Sequence, residues 1–366
     1  MKHGGVGRPE GLQVEPGAGG GVRQREAAVG ARRLDELCAR HGPDMLEQCF
    51  VQLLDRSEAM TREALRKLPD GTYRYVDYLD NDGVELDRQV RIEVAVTVRD
   101  GTMHCDFTGT DRQLRGPLNC VPSSTQAAAY YAVRALTDAQ IPTNGGCFRP
   151  VTLHLPEGSL VNPIAPAPVN ARTATIKRIC GMIVGAFADA DPEHVPAASA
   201  GLSLMLAFGG RRADGRPFII SELIAAGTGA SAHADGIDCL QTDGSNSMNQ
   251  PVEALSMDSP IRVKRFGLRR DSGGAGRFRG GLGLNRQYRF LADRAILQLR
   301  ADRHEHPPYG LFGGHHVDTT PSCSLPPRAR AAVPAPRPVP SPGPVGHRAR
   351  PRRRRRGGAS AWPAAR

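Results

Sequence analysis

The sequence predicts an α+β protein: mixed sheets with packed helices, and a last third rich in strands. Three observations carry this. Two stretches repeat apolar residues at helical spacing, several others alternate apolar and polar residues strictly, and the two kinds do not interleave as a regular βαβ series. Composition divides the 366 residues into three regions. Residues 1–30 are glycine-rich without apolar periodicity and are expected to be disordered. Residues 31–314 read as the folded region, and residues 315–366 as a disordered Pro/Arg-rich tail that cannot bury a core.

The folded region opens on a helix. In "DMLEQCFVQLLDRSEAMTREALRKLPDG", Leu46, Phe50, Leu53 and Leu54 share a face, and Pro69 and Gly71 mark the stop. "VRIEVAVTV" then alternates, with Val90, Ile92, Val94, Val96 and Val98 pointing one way. Asp100-Gly101 turns the chain, and Met103, Cys105 and Phe107 resume the pattern. His104 and Asp106 fall on the opposite face, as half a metal site or, more simply, as a solvated face.

"SSTQAAAYYAVRALTD" predicts a helix capped by Ser123 or Ser124, with Ala127 and Ala128 allowing close packing. "TATIKRICGMIVGAF" predicts another, with Ile176, Ile179, Cys180, Ile183, Val184 and Phe187 on its core face. That spacing makes Cys180 a core residue. Further on, "LSLMLAFGG" and "RPFIISELIA" read as strands around an Asp214-Gly215 turn. Ile261 and Val263 precede the stretch "DSGGAGRFRGGLG", residues 271–283, and Tyr288 and Phe290 follow it. Locally this stretch is a glycine-rich connection between two strands. Its alternative is an anion loop in which Arg277 and Arg279 clamp a phosphate.

Charge and cysteine usage narrow the function classes. The formal charge of +11 is concentrated in the tail, where eleven arginines face one acid from His315 onward, so the body carries about +1. A global nucleic-acid footprint is therefore absent, although the Arg352 to Arg356 run would attract phosphate without sequence specificity. The eight cysteines include no C-x-x-C pair, and the apolar stretches are too short to cross a membrane. With no signal-peptide core at the N-terminus, the expectation is a cytoplasmic protein.

No nucleophile elbow, HExxH or Walker sequence occurs. The candidate catalytic residues are Asn144, Cys147 and Arg149 in "IPTNGGCFRP", together with Asp106. Cys147 could act as a thiolate, though packing within its loop is the simpler reading. Candidate substrate or phosphate contacts are Arg115 and Asn119 in "GTDRQLRGPLN", Asn246 and Asn249 in "DGSNSMNQPVE", and Arg277 and Arg279. His304 and His306 are two apart, but the histidines are otherwise dispersed, and no metal site is expected in this chain.

Four long stretches, "DFTGTDRQLRGPLN", "IPTNGGCFRPVTLHLPEGSLVNPIAPAPVNA", "NQPVEALSMDSPIRVKRFGLRRDSGGAGRFRGGLG" and "PPYGLFGG", occur in this order. Together they resemble the hydantoinase B/oxoprolinase family, which includes the B-type component of N-methylhydantoinase, the C-terminal half of 5-oxoprolinase and the α-type component of acetone carboxylase. The resemblance implies a B-type component that opens cyclic amides, or carboxylates, after an A-type ATP-binding partner activates the substrate. It implies that ATP and a divalent metal belong to the complete complex, with none bound by this chain. Whether the Gly/Arg loop touches phosphate or joins strands stays open.

The sequence departs from the family twice: a G-G-[TS]-H-x-x-D segment is missing, and Pro/Arg/Ala sequence follows "LFGGHH". A fragment of low turnover, its tail read from a shifted frame, is therefore the expectation. The alternatives are a non-catalytic remnant, an acetone carboxylase-like component, or, more remotely, a nucleic-acid-binding protein acting through the tail. Because the tail lacks apolar periodicity, deleting residues 317–366 is predicted to leave the melting temperature nearly unchanged. Differential scanning calorimetry of the two chains checks this.

Overall fold

The computed structural model describes residues 20–316 apart from 202, 203, 242 and 246. The Pro/Arg-rich tail from residue 317 onward therefore lies outside the described residues, as does the first part of the glycine-rich segment. The fold is α+β. Helix α1 (Gly20–His41) begins about ten residues before the boundary that composition suggested, since "RQREAAVGARRLDEL" supplies good helix formers once the glycines thin out. Gly42, at φ 83°, turns the chain into α2 (Pro43–Leu65), with a proline at the helix start where its missing N–H costs nothing.

The face of α2 that meets the molecule differs from the one its large apolar residues marked. Phe50 and Leu53 are about half exposed (48% and 50%), whereas Ser57, Thr61 and Leu65 are buried. The reason is a backbone approach. A Cβ on Gly146 would lie 1.9 Å from the Leu54 carbonyl oxygen, so the contact admits only small residues. Ser57 and Thr61 suit it because their hydroxyls donate back to the carbonyls of Leu53 and Ser57, at 3.0 Å each.

A four-stranded sheet follows, ordered β1 (Gly71–Leu79), β2 (Val90–Arg99), β3 (Thr102–Asp106), β4 (Val151–His154). The expected alternation holds: Val90, Ile92, Val94, Val96, Val98, Met103, Cys105 and Phe107 are all buried in one cluster. β1, β2 and β3 pair antiparallel, but β4 lies parallel to β3 and is reached through α3 (Pro122–Leu136). This is the chain's single crossover of that kind among the described residues. Helix α3 starts one turn-residue earlier than the serines suggested. Val121 is its N-cap and Pro122 occupies the first turn, with no side-chain cap, while Ala128, Ala129 and Ala132 are buried and Ala127 is exposed. Helix α4 (Arg172–Gly185) packs on α3 and on β1. Ile179, Cys180, Ile183 and Phe187 join the core as expected.

The C-terminal part is strand-rich. β5 (Leu204–Arg211) pairs with β6 (Pro217–Ile224) around the predicted Asp214-Gly215 turn, and β9 (Ala295–Arg300) flanks β5, giving the order β6-β5-β9. After the short α5 (Val252–Asp258), β7 (Ile261–Leu268) and β8 (Leu284–Phe290) form a ribbon. Ile261 pairs with Phe290 and Val263 with Tyr288, so the glycine-rich stretch does connect two paired strands. Leu206, Phe208, Phe218, Ile224 and Ile261 make a second, smaller core.

The connection itself is held by backbone. Gly281 N–H donates to the Thr228 carbonyl, Gly236 N–H to Arg279, and His315 N–H to Ala275. A Cβ on Gly281 would stand 2.1 Å from the Ile237 carbonyl oxygen. Gly281→Ala is therefore predicted to destabilise the chain by at least ~2 kcal/mol, because backbone and not a flexible side chain must move. Urea denaturation beside the wild-type chain measures this.

Candidate functional site

The anion reading of residues 271–283 requires backbone N–H groups free to meet a phosphate. Those of residues 279–283 are already used. Arg279 N–H donates to Asp235 and Leu282 N–H to Asp238, while Gly280 and Gly283 donate to the Gly274 carbonyl and the Ser272 hydroxyl. The Arg279 guanidinium is paired with Asp238 at 3.0 Å, and those contacts hold the Asp238 carboxyl below its usual range. Arg277 is exposed and lies over the Phe278 ring. The loop's geometry is that of a clasp around residues 228–239.

The other candidates have local partners as well. Asn144 caps the 3-10 turn Gly145–Phe148 by accepting from Gly146 N–H, and its amide donates to Ser57 at 2.8 Å. Cys147 is fully buried and its thiol donates to the Asn144 carbonyl. Arg149 pairs with Asp55 at 2.7 Å and Glu58 at 3.2 Å. These three residues fasten α2 to the loop before β4. Asp106 accepts from the N–H and hydroxyl of Thr108, and His104 meets Thr152 at an exposed position, so that strand face is solvated polar surface. Asn119 is fully buried and spans Leu114, Gly116 and Pro168, whereas Arg115 is exposed. Asn246 lies outside the described residues. The Oδ1 of Asn249 is buried with no hydrogen-bond partner among the described residues.

Buried charge concentrates elsewhere, where α4 meets β1 and the segment after β9. Lys177 and Arg178 sit in the middle of that helix and are 1% and 0% exposed. On one side is β1, whose Tyr73, Tyr75, Asp77 and Leu79 share the register of the buried β2 residues; Asp77 stands opposite Ile92. On the other side is the segment after β9. Arg178 pairs with Asp77 at 3.0 Å and with Asp302, and Arg303 reaches Asp77 at 3.2 Å. Asp302 also accepts from Asp80 N–H, and Asp80 accepts in turn from the N–H groups of His304 and Glu305. Two guanidinium groups and three carboxylates thus gather in the junction, the Asp80 carboxylate held by backbone N–H groups. Nearby, Tyr309 packs tilted against Tyr75 and passes so close to α4 that a Cβ on Gly185 would sit 2.1 Å from its hydroxyl.

Beside this network Lys177 donates to the Ser245 hydroxyl at 3.1 Å, and Ser245 donates to Gln241 at 3.4 Å. Asp243, at φ 58°, accepts a short hydrogen bond from Ser199 and faces Lys177. Burial holds the Lys177 ammonium below its ordinary value, against the opposing pull of Asp243. Burial raises the thiols of Cys105 and Cys120, to about 12 and about 11, and raises Cys180 further, so these three stay protonated. Among the described residues no three His, Cys, Asp or Glu side chains converge as a metal would require.

A second buried pair lies in the smaller core. Arg286 and Glu222 are 3.0 Å apart, Tyr288 donates to Glu222, and the Phe266 ring covers the guanidinium. The sequence reading missed both charged groups. Asp77 was visible as an acid on the apolar-facing register of "GTYRYVDYL", and Lys177 and Arg178 as two cations within a helix otherwise read for its apolar face.

The fold and this junction define an α+β chain in which one cationic helix is tied by ion pairs to the first sheet and to the segment after β9. The chain belongs to the hydantoinase B/oxoprolinase family, whose pattern it matches over residues 25–331. It is 35% identical over 288 residues to an uncharacterised protein of Methanocaldococcus jannaschii, covering 78% of this chain and 49% of that one. It is 32% identical over 299 residues to a Pseudomonas sp. (strain NS671) protein provisionally named as the B-type component of a D-/L-hydantoinase, covering 79% and 50%. Among solved structures it resembles the ATP-dependent caprolactamase of Pseudomonas jessenii, with 28% identity, a TM-score of 0.67, and coverage of 74% of this chain and 47% of that one. The chain thus spans about half the length of these curated relatives.

Removing one partner from the junction strands buried charge. Asp77→Ala is predicted to cost about 3–5 kcal/mol, read by chemical denaturation. The pH dependence has a definite sign. Burial pushes the Asp302 carboxyl up, but Arg178, the Asp80 N–H and Arg303 outweigh it, so its folded value is depressed. Its stabilisation is present above the unfolded-state value and is lost as pH falls through the folded one. Wild-type stability should fall on acidification below pH ~4, more steeply than that of Asp302→Asn.

Proposed function

We propose that the chain is the B-type component of an ATP-dependent enzyme that opens cyclic amides, working in the cytoplasm with an A-type, ATP-binding partner. The observation that carries this is the likeness to a caprolactamase titled ATP-dependent, at 28% identity over most of the described fold. The relative provisionally named as a hydantoinase component supports a cyclic amide as substrate and a partner chain. No described helix is long and apolar enough to cross a membrane, which accords with that setting.

The physical logic is a division of labour. A ring amide is a poor electrophile, and ATP chemistry in the partner supplies the driving force for opening it. This chain has no Walker sequence, and its Gly/Arg loop spends the N–H groups of residues 279–283 internally. What it offers is the α4 junction, where buried cations stand beside hydroxyl and carboxylate groups with little water to weaken their fields. ATP and any divalent metal belong, on this reading, to the complete complex.

The test is reconstitution with an A-type partner. The isolated chain is predicted to show no ATP turnover; the pair should co-purify and open hydantoin, 5-oxoproline or caprolactam at low turnover, and only with ATP. Robust ATPase activity of the chain alone, or failure to associate, would overturn the reading. Association without ring opening would favour the non-catalytic alternative.

A further inference from the structure

Strand β7 carries Arg262, Lys264 and Arg265, strand β8 carries Arg286 and Arg289, and neither strand contains an acid. Arg286 is buried and matched by Glu222. The other four cations are exposed and have no ion pair among the described residues. Register gathers them. Arg262 stands directly opposite Arg289, and Arg265 stands opposite Gln287, two residues from Arg289 and so on the same face. Lys264 occupies the bulge between these two rows. Tyr288 and Phe290 alternate with Gln287 and Arg289 and pack on the smaller core, which makes the cationic face the outer one.

Such an arrangement works against the isolated chain, because like charges directly opposite in an antiparallel pair cost stability. It is also local. The whole body carries only about +1, so four unmatched cations on one ribbon are not a share of a general excess. We propose that the outer face of the β7–β8 ribbon is a docking surface for a protein partner, met by a carboxylate-rich patch on that partner. Under the function proposed above this partner is the A-type chain, and its identity rests on that reading.

Charge complementarity is the argument for the occupant. Three of the four cations are arginine, whose planar fork takes a carboxylate bidentately and which protein interfaces enrich while they deplete lysine. A nucleic acid fits less well. The other residues of the outer face are Gly267, Asn285 and Gln287, so it offers no ring on which a base could stack. The near-neutral body likewise gives a polyanion no longer basic track to follow. Exposed cations of this kind act chiefly on the rate of encounter, and salt screens them.

The experiment follows association of the full-length chain with the A-type partner by biolayer interferometry across a salt series. The double variant Arg262→Glu, Arg289→Glu should associate at least ~10-fold more slowly at low salt, with the gap closing near ~0.5 M salt. Arg262→Glu alone should slow association less. It also sets opposite charges across the ladder, so the melting temperature of the isolated chain should not fall. Arg262→Gln with Arg289→Gln, which removes charge without reversing it, should give a smaller loss in the same direction. Arg99→Glu, a reversal at the exposed end of β2, should leave association nearly unchanged. Association of the double variant at the wild-type rate would overturn the proposal, as would an equal loss in Arg99→Glu. A duplex oligonucleotide that binds through Arg262 and Arg289 more tightly than the partner does would overturn it too. If the wild-type pair does not associate at all, the B-type reading falls and this proposal with it.

Discussion

The structure depends on putting charge where α4, the first sheet and the segment after β9 meet. Arg178 lies at the centre of the molecule with no exposed surface, and a buried guanidinium is tolerable only when carboxylates surround it. Asp77 supplies one from the first sheet and Asp302 another from the segment after β9. Such a network adds little net stability over an apolar core of equal volume. What it adds is a single docking geometry, since hydrogen-bond directions do not permit the sliding that two greasy faces would allow.

The signature stretches that identified the family turn out to be chiefly structural in their contacts. "TNGGCFR" fastens α2 beside β4 through Asn144, Gly146 and Arg149. "DSGGAGRFRGGLG" closes around residues 228–239 by backbone bonds, and "PPYGLFGG" delivers Tyr309 to the α4 surface at Gly185. Glycine recurs in these motifs because backbone meets backbone there, and a side chain would occupy the space of a carbonyl. A family can thus be recognised by segments in which backbone packs on backbone.

Much of the fold was legible because periodicity is local. The β2–β3 hairpin, the β5–β6 hairpin and the core face of α4 all follow from spacings of two or of three and four. The docking face of α2 was not, since the contact that decides it lies with Gly146, ninety residues away, and favours serine and threonine over the conspicuous Phe50 and Leu53. The α3 start was missed for a smaller reason: Pro122 already satisfies the first turn, leaving the serines no capping role. The buried charged groups were less legible. The candidates were mostly reactive types in loops, whereas the charged groups that meet are Asp77, Lys177, Arg178 and Asp302, each on or beside a regular element and joined only by tertiary structure. An acid in the apolar register of β1 and two cations inside an apolar helix were the available signals.

The junction also has a consequence in time. Asp77 and Arg178 are separated by 101 residues, and Arg303 lies 226 residues beyond Asp77. During synthesis the first sheet and α4 leave the ribosome long before residues 302 and 303 exist. Until then one flank of α4 must keep its cations hydrated, so the early half cannot settle into a dry, final packing. Vectorial folding of this chain is accordingly a two-stage affair: a first core that condenses by itself around β2, then a late closure in which water leaves the junction as its last carboxylate arrives.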